Sequence, residues 1–222
     1  EQWCFVPRVL QNIARRSQST TLFNHEWDCP FGIAPMGISA LSTHDGDRAM
    51  ARAAAQANIP YILSGSSLTT LESVMEAAPN SWFQAYLPGE QQRIDALIKR
   101  VKTAGVKTLV ITVDIPVAGN RENNIRAGFS TPLRPSARLI WDGISHPRWL
   151  LGTFLRTLMN GIPHFENSFA ERGAPIISRN VERDFSQREH LDWSHIEKIR
   201  AQWDGNLIIK GILSAQDAGI AK

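Results

Sequence analysis

Residues 108–114 read Thr108-Leu109-Val110-Ile111-Thr112-Val113-Asp114, an unbroken aliphatic and β-branched run that ends on a carboxylate. A short continuous apolar run suits a parallel strand buried on both faces better than a half-exposed one, which would alternate. The same pattern recurs on either side. Ser81-Trp82-Phe83 leads into Gln84 and Tyr86, and Leu207-Ile208-Ile209 leads into Lys210. Apolar strands that end in reactive side chains are what the catalytic face of a β/α barrel looks like in sequence, because active sites there are built at the C-terminal strand ends.

Moving outward, the chain from Phe31 repeats a short apolar strand, a turn and an amphipathic helix. The strand candidates are Phe31 to Ala34, Tyr61 to Leu63, Trp82 to Tyr86, Thr108 to Val113 and Leu207 to Lys210. Helices are predicted from about Gly46 to Ala57, from Gln92 to Thr103 with Gly105 as C-cap, and from Trp193 to Trp203. Thr69 with Glu72, and Ser214 with Asp217, have the spacing of an N-cap residue and its acidic partner. Strand, helix, strand in succession implies right-handed crossovers and a parallel sheet. The fold class is therefore α/β, a TIM (β/α)8 barrel with about five βα units present. Eight units typically need roughly 250 residues, so these 222 residues are expected to be an incomplete barrel and a fragment.

Two stretches break the rhythm. Residues 1–30 contain Pro7, Arg15-Arg16 and Pro30 and are assigned to an N-terminal cap or hairpin, leaving 31–222 as the partial barrel. Residues 115–190 form a loop insertion far longer than a usual βα connection, which marks it as functional or partly disordered. It holds Arg138-Leu139-Ile140-Trp141, His146-Pro147-Arg148-Trp149 and Phe154-Leu155-Arg156, arginines beside large apolar side chains. Such a segment suits a helix lying on an anionic membrane surface, or equally a lid over the barrel with solvated arginines. No stretch approaches the ~20 apolar residues of a spanning helix.

The bulk numbers exclude little else. A hydrophobic content of 43% with 20% charged residues is ordinary for a globular domain, and the net charge of +3 is mild. Cys4 and Cys29 are too few for a disulfide scaffold and lack metal-ligand spacing, so free thiols in a reducing compartment are expected and no metal site is. Residues 1–7 have neither the basic nor the apolar region of a signal peptide. A nucleic-acid role lacks any recognised motif.

Side chains at strand C-termini converge on one mouth, which would bring Ser64, Gln84, Tyr86, Thr112, Asp114 and Lys210 together. Gln84 offers donor and acceptor and Ser64 and Thr112 offer hydroxyls, together matching the polar edge of a planar heterocycle. Lys210 adds a cation that would stabilise an electron-rich ring. Tyr86 can donate to a hydroxyl or carboxylate, and Asp114 is suited to orienting a histidine base. Taken singly, each has a plainer reading: Lys210 as a solvated strand end, Asp114 before Ile115-Pro116 as a turn former, Tyr86 as a rim residue.

The combination resembles a known family. Ile33-Ala34-Pro35-Met36-Gly37, Leu63-Ser64, Trp82-Phe83-Gln84-Ala85-Tyr86, Thr112-Val113-Asp114-Ile115-Pro116, Gly119-Asn120-Arg121-Glu122 and Ile209-Lys210-Gly211 through Ala218 look like the successive strand-end motifs of the FMN-dependent 2-hydroxy acid dehydrogenases and oxidases. The resemblance implies that Pro35, Met36, Ser64, Gln84, Thr112 and Lys210 surround the flavin of FMN. It implies that Tyr86 and Arg121 face substrate and that Asp114 pairs with a catalytic histidine, with Tyr86, Asp114 and Lys210 as the catalytic set. The implied reaction oxidises an L-2-hydroxy acid, lactate- or mandelate-like, to the 2-oxo acid, the redox chemistry belonging to the cofactor.

The insertion around His146-Pro147-Arg148-Trp149 and Gly161-Ile162-Pro163-His164 is similar to that of bacterial membrane-associated L-lactate and L-mandelate dehydrogenases. That implies quinone as acceptor, peripheral membrane contact through 132–165 on the inner face of the cell membrane, and a homotetramer. The alternatives are a soluble oxidase using oxygen, a different FMN or phosphate-binding barrel, or a noncatalytic truncated remnant. The last arises because the family's His-Gly-Gly-Arg motif, its second arginine and its glycine-rich phosphate site are absent from these 222 residues. The 222-residue polypeptide by itself is expected to be inactive.

Overall fold

The computed structural model describes residues 4–114, 122–128, 133–134, 136–178 and 190–222. Its first feature is a hairpin, β1 (Thr20–Leu22) antiparallel to β2 (His25–Trp27). The two loop residues, Phe23 and Asn24, both have positive φ, at 54° and 59°. That is the geometry of the primed turns whose twist matches the flanking strands.

Four strands then form one parallel sheet in the order β3 (Ile62–Ser64), β4 (Trp82–Ala85), β5 (Thr108–Thr112) and β6 (Asn206–Lys210). The register pairs Ser64 with Gln84, Ala85 with Ile111 and Thr112 with Lys210. Strand order follows chain order, the arrangement of successive barrel staves, and each crossover carries helix. Helix α1 (Gly46–Gln56) precedes β3, α2 (Leu71–Ala77) and α3 (Gln91–Thr103) follow β3 and β4, and α8 (Trp193–Gln202) precedes β6. A last helix, α9 (Ala215–Ile220), is capped by the Ser214 hydroxyl accepting from the Asp217 amide at 3.0 Å. Gly105, with φ +83°, ends α3 as expected of the residue just past a helix.

The segment 31–34 departs from expectation. It contributes only a single parallel bridge, Ile33 to Tyr61, not a strand. The Ile33 amide donates to the Pro60 carbonyl at 2.8 Å and the Ile62 amide to the Ile33 carbonyl at 3.1 Å. A Cβ on Gly32 would sit 2.6 Å from that same Pro60 carbonyl, so glycine permits the approach. Pro35 has no amide to extend a ladder.

The cap of α2 is a second departure. The N-cap position is Thr70, not Thr69, and its side chain makes no capping bond. Asn167, 96 positions later in the chain, supplies the acceptor to the Leu71 amide at 2.9 Å.

Alternation along the strands sorts the sheet into two faces. Leu63, Phe83, Ala85, Leu109 and Ile111 point to the helices, where they meet Leu71, Val74, Ile94, Leu97, Ile98, Val101 and Ile199 in one buried core. Facing the other way, Trp82 and Val110 are covered by Trp27 of the hairpin, with Ile62 and Ile208 at the margin. Trp27 meets Trp82 edge-on, with ring centroids 6.2 Å apart. The hairpin thus closes the N-terminal end of the inner face.

The described parts of the insertion are helical at first. They comprise α4 (Glu122–Arg126), α5 (Ala137–Ser145), α6 (Pro147–Trp149), a π-helical stretch (Leu150–Leu155) and α7 (Arg156–Met159). The chain then returns over the barrel, where Phe165 and Ile176 are buried with Ile38, Leu41 and Leu68 packed against them.

Candidate active site

The same alternation that puts Trp82 and Val110 over the hairpin puts Ser64, Gln84, Thr112 and Lys210 one layer higher, at the C-terminal ends of the four strands. An apolar floor therefore carries a polar rim. Ser64, Gln84 and Thr112 are buried. The Ser64 hydroxyl donates to Gln84 Oε1 at 3.2 Å and accepts from the Ser66 amide at 3.1 Å. Among the described residues, Gln84 Nε2 and Thr112 Oγ1 are enclosed and have no partner. Exchanging the amide's oxygen and nitrogen would not remove the deficit, since one end of Gln84 would still be unpaired. Enclosed polar groups without partners are costly, and two of them on one rim are a mark of a site built for a polar ligand.

Lys210 and Asp114 close one side of this rim. Lys210 Nζ lies 3.6 Å from Asp114 Oδ2, both side chains being about two-fifths exposed at 45% and 38%. Gly211 is required beside them. Its φ is +107°, and a Cβ there would fall 2.5 Å from Asp114 Cβ. The Val113 amide also bonds the Lys210 carbonyl at 3.0 Å, carrying the ladder one residue past β5.

Pro35 and Met36 arrive from the other side. Pro35 is half-buried and Met36 is 45% exposed. Their segment is tied to the loop after β3 by the Ile38 amide donating to the Ser66 carbonyl at 3.1 Å, and a Cβ on Gly37 would stand 3.2 Å from Ser66 Cβ. Ile38 itself has φ 51°, a left-handed conformation that is unfavourable for a β-branched residue. Tyr86 follows β4 by one residue and is half-buried. Arg121 lies outside the described residues. The structure therefore groups Ser64, Gln84, Thr112, Asp114 and Lys210 directly and lays Pro35 and Met36 beside them.

One buried group escaped sequence reasoning. Asp47, in the first turn of α1, is fully enclosed; Tyr61 Oη donates to its Oδ1 at 2.8 Å and Ser67 Oγ to its Oδ2 at 2.6 Å. Burial, and then the Asp47 charge, push the Tyr61 hydroxyl well above the usual tyrosine range. The carboxylate thereby joins α1, the entry to β3 and the loop that follows Ser64. An acid in a helix's first turn ordinarily reads as a solvated residue favoured by the helix dipole, so nothing in the sequence singled it out.

The insertion's return is fastened to the same loop. The Glu166 amide donates to the Ser67 carbonyl at 3.1 Å and the Ser168 hydroxyl to the Gly65 carbonyl at 3.3 Å. Arg100 of α3 bonds the carbonyls of Glu166 and Phe169 at 2.7 and 3.0 Å while pairing with both oxygens of Glu72 at 2.8 Å. The Arg100 guanidinium holds the Glu72 carboxyl below its usual range. Arg93 stacks over the Phe169 ring, 3.8 Å from its centroid.

With this geometry in hand, comparisons with known proteins are specific. The family model for FMN-dependent dehydrogenase matches residues 1–222. The L-lactate dehydrogenase of Pseudomonas entomophila (strain L48) is 36% identical over 221 residues, an overlap covering 95% of this chain and 55% of that protein. The (S)-mandelate dehydrogenase of Pseudomonas putida is 33% identical over 222 residues, covering 98% of this chain and 54% of that protein. Among solved structures, that of the monotopic membrane protein (S)-mandelate dehydrogenase superposes with a TM-score of 0.82 at 30% identity, covering 98% of this chain and 57% of the other. A mandelate oxidase with 3,3-difluoro-2-hydroxy-3-phenylpropionic acid superposes with a TM-score of 0.69 at 26% identity, covering 97% and 51%. The chain spans about half the length of the curated relatives it matches.

Proposed function

The chain belongs to the FMN-dependent dehydrogenase family, and from that premise we propose that it supplies the flavin-edge half of an enzyme oxidising an L-2-hydroxy acid, lactate- or mandelate-like, to the 2-oxo acid. The observation that carries this reading is the pair of enclosed, partnerless atoms, Gln84 Nε2 and Thr112 Oγ1, on the rim that also bears Ser64 and Lys210. Donors and acceptors in one line are what the polar edge of a flavin calls for.

Pro35, Met36, Ser64, Gln84, Thr112 and Lys210 would hold FMN, which when bound accepts two electrons and the substrate's α-hydrogen. Lys210 would stabilise negative charge that develops on the ring. The Trp27, Trp82 and Val110 layer beneath keeps water from the floor of the site. Tyr86 and Arg121 would receive the substrate's hydroxyl and carboxylate. Asp114 would orient a histidine base and meanwhile balances Lys210. No His-Gly-Gly-Arg motif occurs in the 222 residues, so the polypeptide of these residues alone would not turn over substrate.

Quinone as acceptor and a seat on the membrane belong to the same proposal. Leu151, Phe154, Leu155, Leu158 and Met159 recur at helical spacing and are all exposed, as are Ile140, Trp141 and Ile144 on α5. Exposed Arg138, Arg148 and Arg156 flank them. An apolar stripe bordered by arginines suits a helix in the interface of an anionic membrane, here its cytoplasmic face, and tells against a soluble oxidase using oxygen. No helix among the described residues is long and apolar enough to cross a membrane. Assembly as a homotetramer completes the proposal and is checked by light scattering.

The test uses the full-length gene product. It should release FMN on denaturation, and Gln84→Leu should retain markedly less flavin. Protein that carries no flavin and takes up none when FMN is added would refute the reading.

A further inference from the structure

The loop that carries Ser64 onto the rim is tied to a helix by one enclosed carboxyl group. Residues 64–67 form a turn closed by the Ser67 amide donating to the Ser64 carbonyl at 3.0 Å. Within it the Ser66 amide donates to Ser64 Oγ at 3.1 Å, and the Ser64 hydroxyl donates to Gln84 Oε1 at 3.2 Å. That bond orients the Gln84 amide and leaves Nε2 as the end without a partner among the described residues. The turn has little slack, since a Cβ on Gly65 would fall 2.9 Å from the Gln84 carbonyl. Its position therefore decides where the donor of Gln84 stands.

We infer that Asp47 is a positioning residue for the flavin edge, acting through Ser67 on the 64–67 turn and so on Ser64 and Gln84. The inference rests on the flavin reading above. Asp47 is fully enclosed, so its influence passes through its neighbours and not through contact with cofactor or substrate.

Two bonds leave the carboxyl in different directions. Oδ1 accepts from Tyr61 Oη at 2.8 Å, at the entry to β3, and Oδ2 accepts from Ser67 Oγ at 2.6 Å, on the turn. Ser67 Oγ also accepts from the Thr69 amide at 2.9 Å and has the Thr69 carbonyl as a second acceptor at 3.3 Å. Those two bonds stay inside the loop; of the three, the one to Asp47 reaches a helix. A hydroxyl bound to a carboxylate at this length is of the short, strong kind, so Asp47 outcompetes the Thr69 carbonyl. The carbonyls of Gly65, Ser66 and Ser67 are held by Ser168, Ile38 and Glu166, all in irregular segments. Helix α1, by contrast, is packed into the core through Ala51 and Ala54. A site fixed to a regular element is held more precisely than one fixed to loops, and Asp47 supplies that link. Without the carboxyl, Ser67 falls back on Thr69 and the turn is released from α1, while the unsatisfied group is Tyr61. Stability and flavin placement thus depend on different bonds of one side chain.

The test uses the full-length, FMN-loaded protein with Asp47→Ala, Ser67→Ala and Tyr61→Phe, reading Tm and the FMN dissociation constant from flavin released on dilution. Ser67→Ala and Tyr61→Phe each take one bond from Asp47, and each should lower Tm. Asp47→Ala and Ser67→Ala should each raise the dissociation constant about tenfold, the scale of one hydrogen bond. The double variant should be no weaker than either, as expected of residues acting in series, and Tyr61→Phe should stay within about twofold of wild type. Should Asp47→Ala fail to fold, the contrast between Ser67→Ala and Tyr61→Phe decides. Unchanged flavin affinity in Ser67→Ala would overturn the inference. So would affinity that simply follows Tm across the variants, which is what a merely structural carboxyl produces. Wild type that binds no FMN removes the flavin reading itself, and this inference with it.

Discussion

The parallel sheet and the helical insertion are built from similar residues and use them in opposite ways. In the sheet, Leu63, Phe83, Leu109 and Ile111 are fully enclosed and the polar side chains are gathered at the strand ends. In the insertion, Trp141 is 70% exposed and Met159 is 86% exposed, while a polar residue, Thr153, is buried. The difference teaches that an apolar period fixes a face but not what that face meets. The sheet's apolar residues meet helices of the same chain, whereas Ile140, Trp141, Ile144, Leu151, Leu158 and Met159 of the insertion are left exposed. Between the two regions lies the return segment around 165–169, which behaves like the barrel because Arg93, Arg100 and the loop after β3 hold it.

The largest effect is expected in the sheet. Phe83→Ala should cost roughly 3–5 kcal/mol of stability by opening a cavity in the core, measured by denaturant unfolding. Trp141→Ala should change stability by no more than about 0.5 kcal/mol while lowering recovery with anionic vesicles. Equal costs for the two would mean that the insertion's apolar face is packed and would break the comparison.

Next comes the enclosed carboxylate. Asp47→Ala strands the Tyr61 hydroxyl, while Ser67 Oγ keeps the Thr69 carbonyl at 3.3 Å, so at about 1–3 kcal/mol for a buried group left unsatisfied the loss should be about 1–3 kcal/mol. It should also speed hydrogen exchange of the Ser66 and Ser67 amides. An effect confined to α1, with that loop unchanged, would show that Asp47 does not connect helix and site.

Arg100→Ala probes the fastening between the regions. Its carbonyl bonds to the return segment and its pairing with Glu72 are lost together, for an expected cost of about 1–3 kcal/mol. Protection should fall in 165–169 and stay constant in β4 and β5. A uniform fall would mean that the return segment is part of the barrel core and not a separable clamp.

The smallest effect concerns acid. Ser194 and then His195 hold the exposed Asp192 carboxyl down at about 2, below the unfolded value of about 3.9. Because the folded-state value is the lower one, the cap's contribution is complete above about pH 4 and is lost as pH falls through about 2. Carbon NMR of the Asp192 carboxyl should follow that course. A midpoint near 4 would remove the capping contribution.

How legible these features were in the sequence follows from their range. Strands β3 to β6 and their polar ends were readable because each is a contiguous run, and the caps at Gly105 and Ser214 because they are local. The strand expected at 31–34 was not, since its single bridge depends on how closely Gly32 approaches Pro60. Thr69 matched the local spacing of a cap, yet α2 starts one residue later and takes its acceptor from Asn167. Asp47 and Arg100 act across folded neighbours, and no spacing along the chain records that. The rim residues were nameable individually, but their missing partners at Gln84 and Thr112 appear only when the strands are placed side by side.

The central claim is that this rim holds a flavin that receives electrons from an L-2-hydroxy acid. Its most direct test is anaerobic mixing of the full-length, FMN-loaded protein with L-lactate or (S)-mandelate while flavin absorbance is followed. The account predicts bleaching with at least one of them, slowed about 10²–10³-fold in Lys210→Met, the range for removing one transition-state charge partner. Absorbance that stays constant with both acids, or bleaching that is indifferent to Lys210, would contradict it.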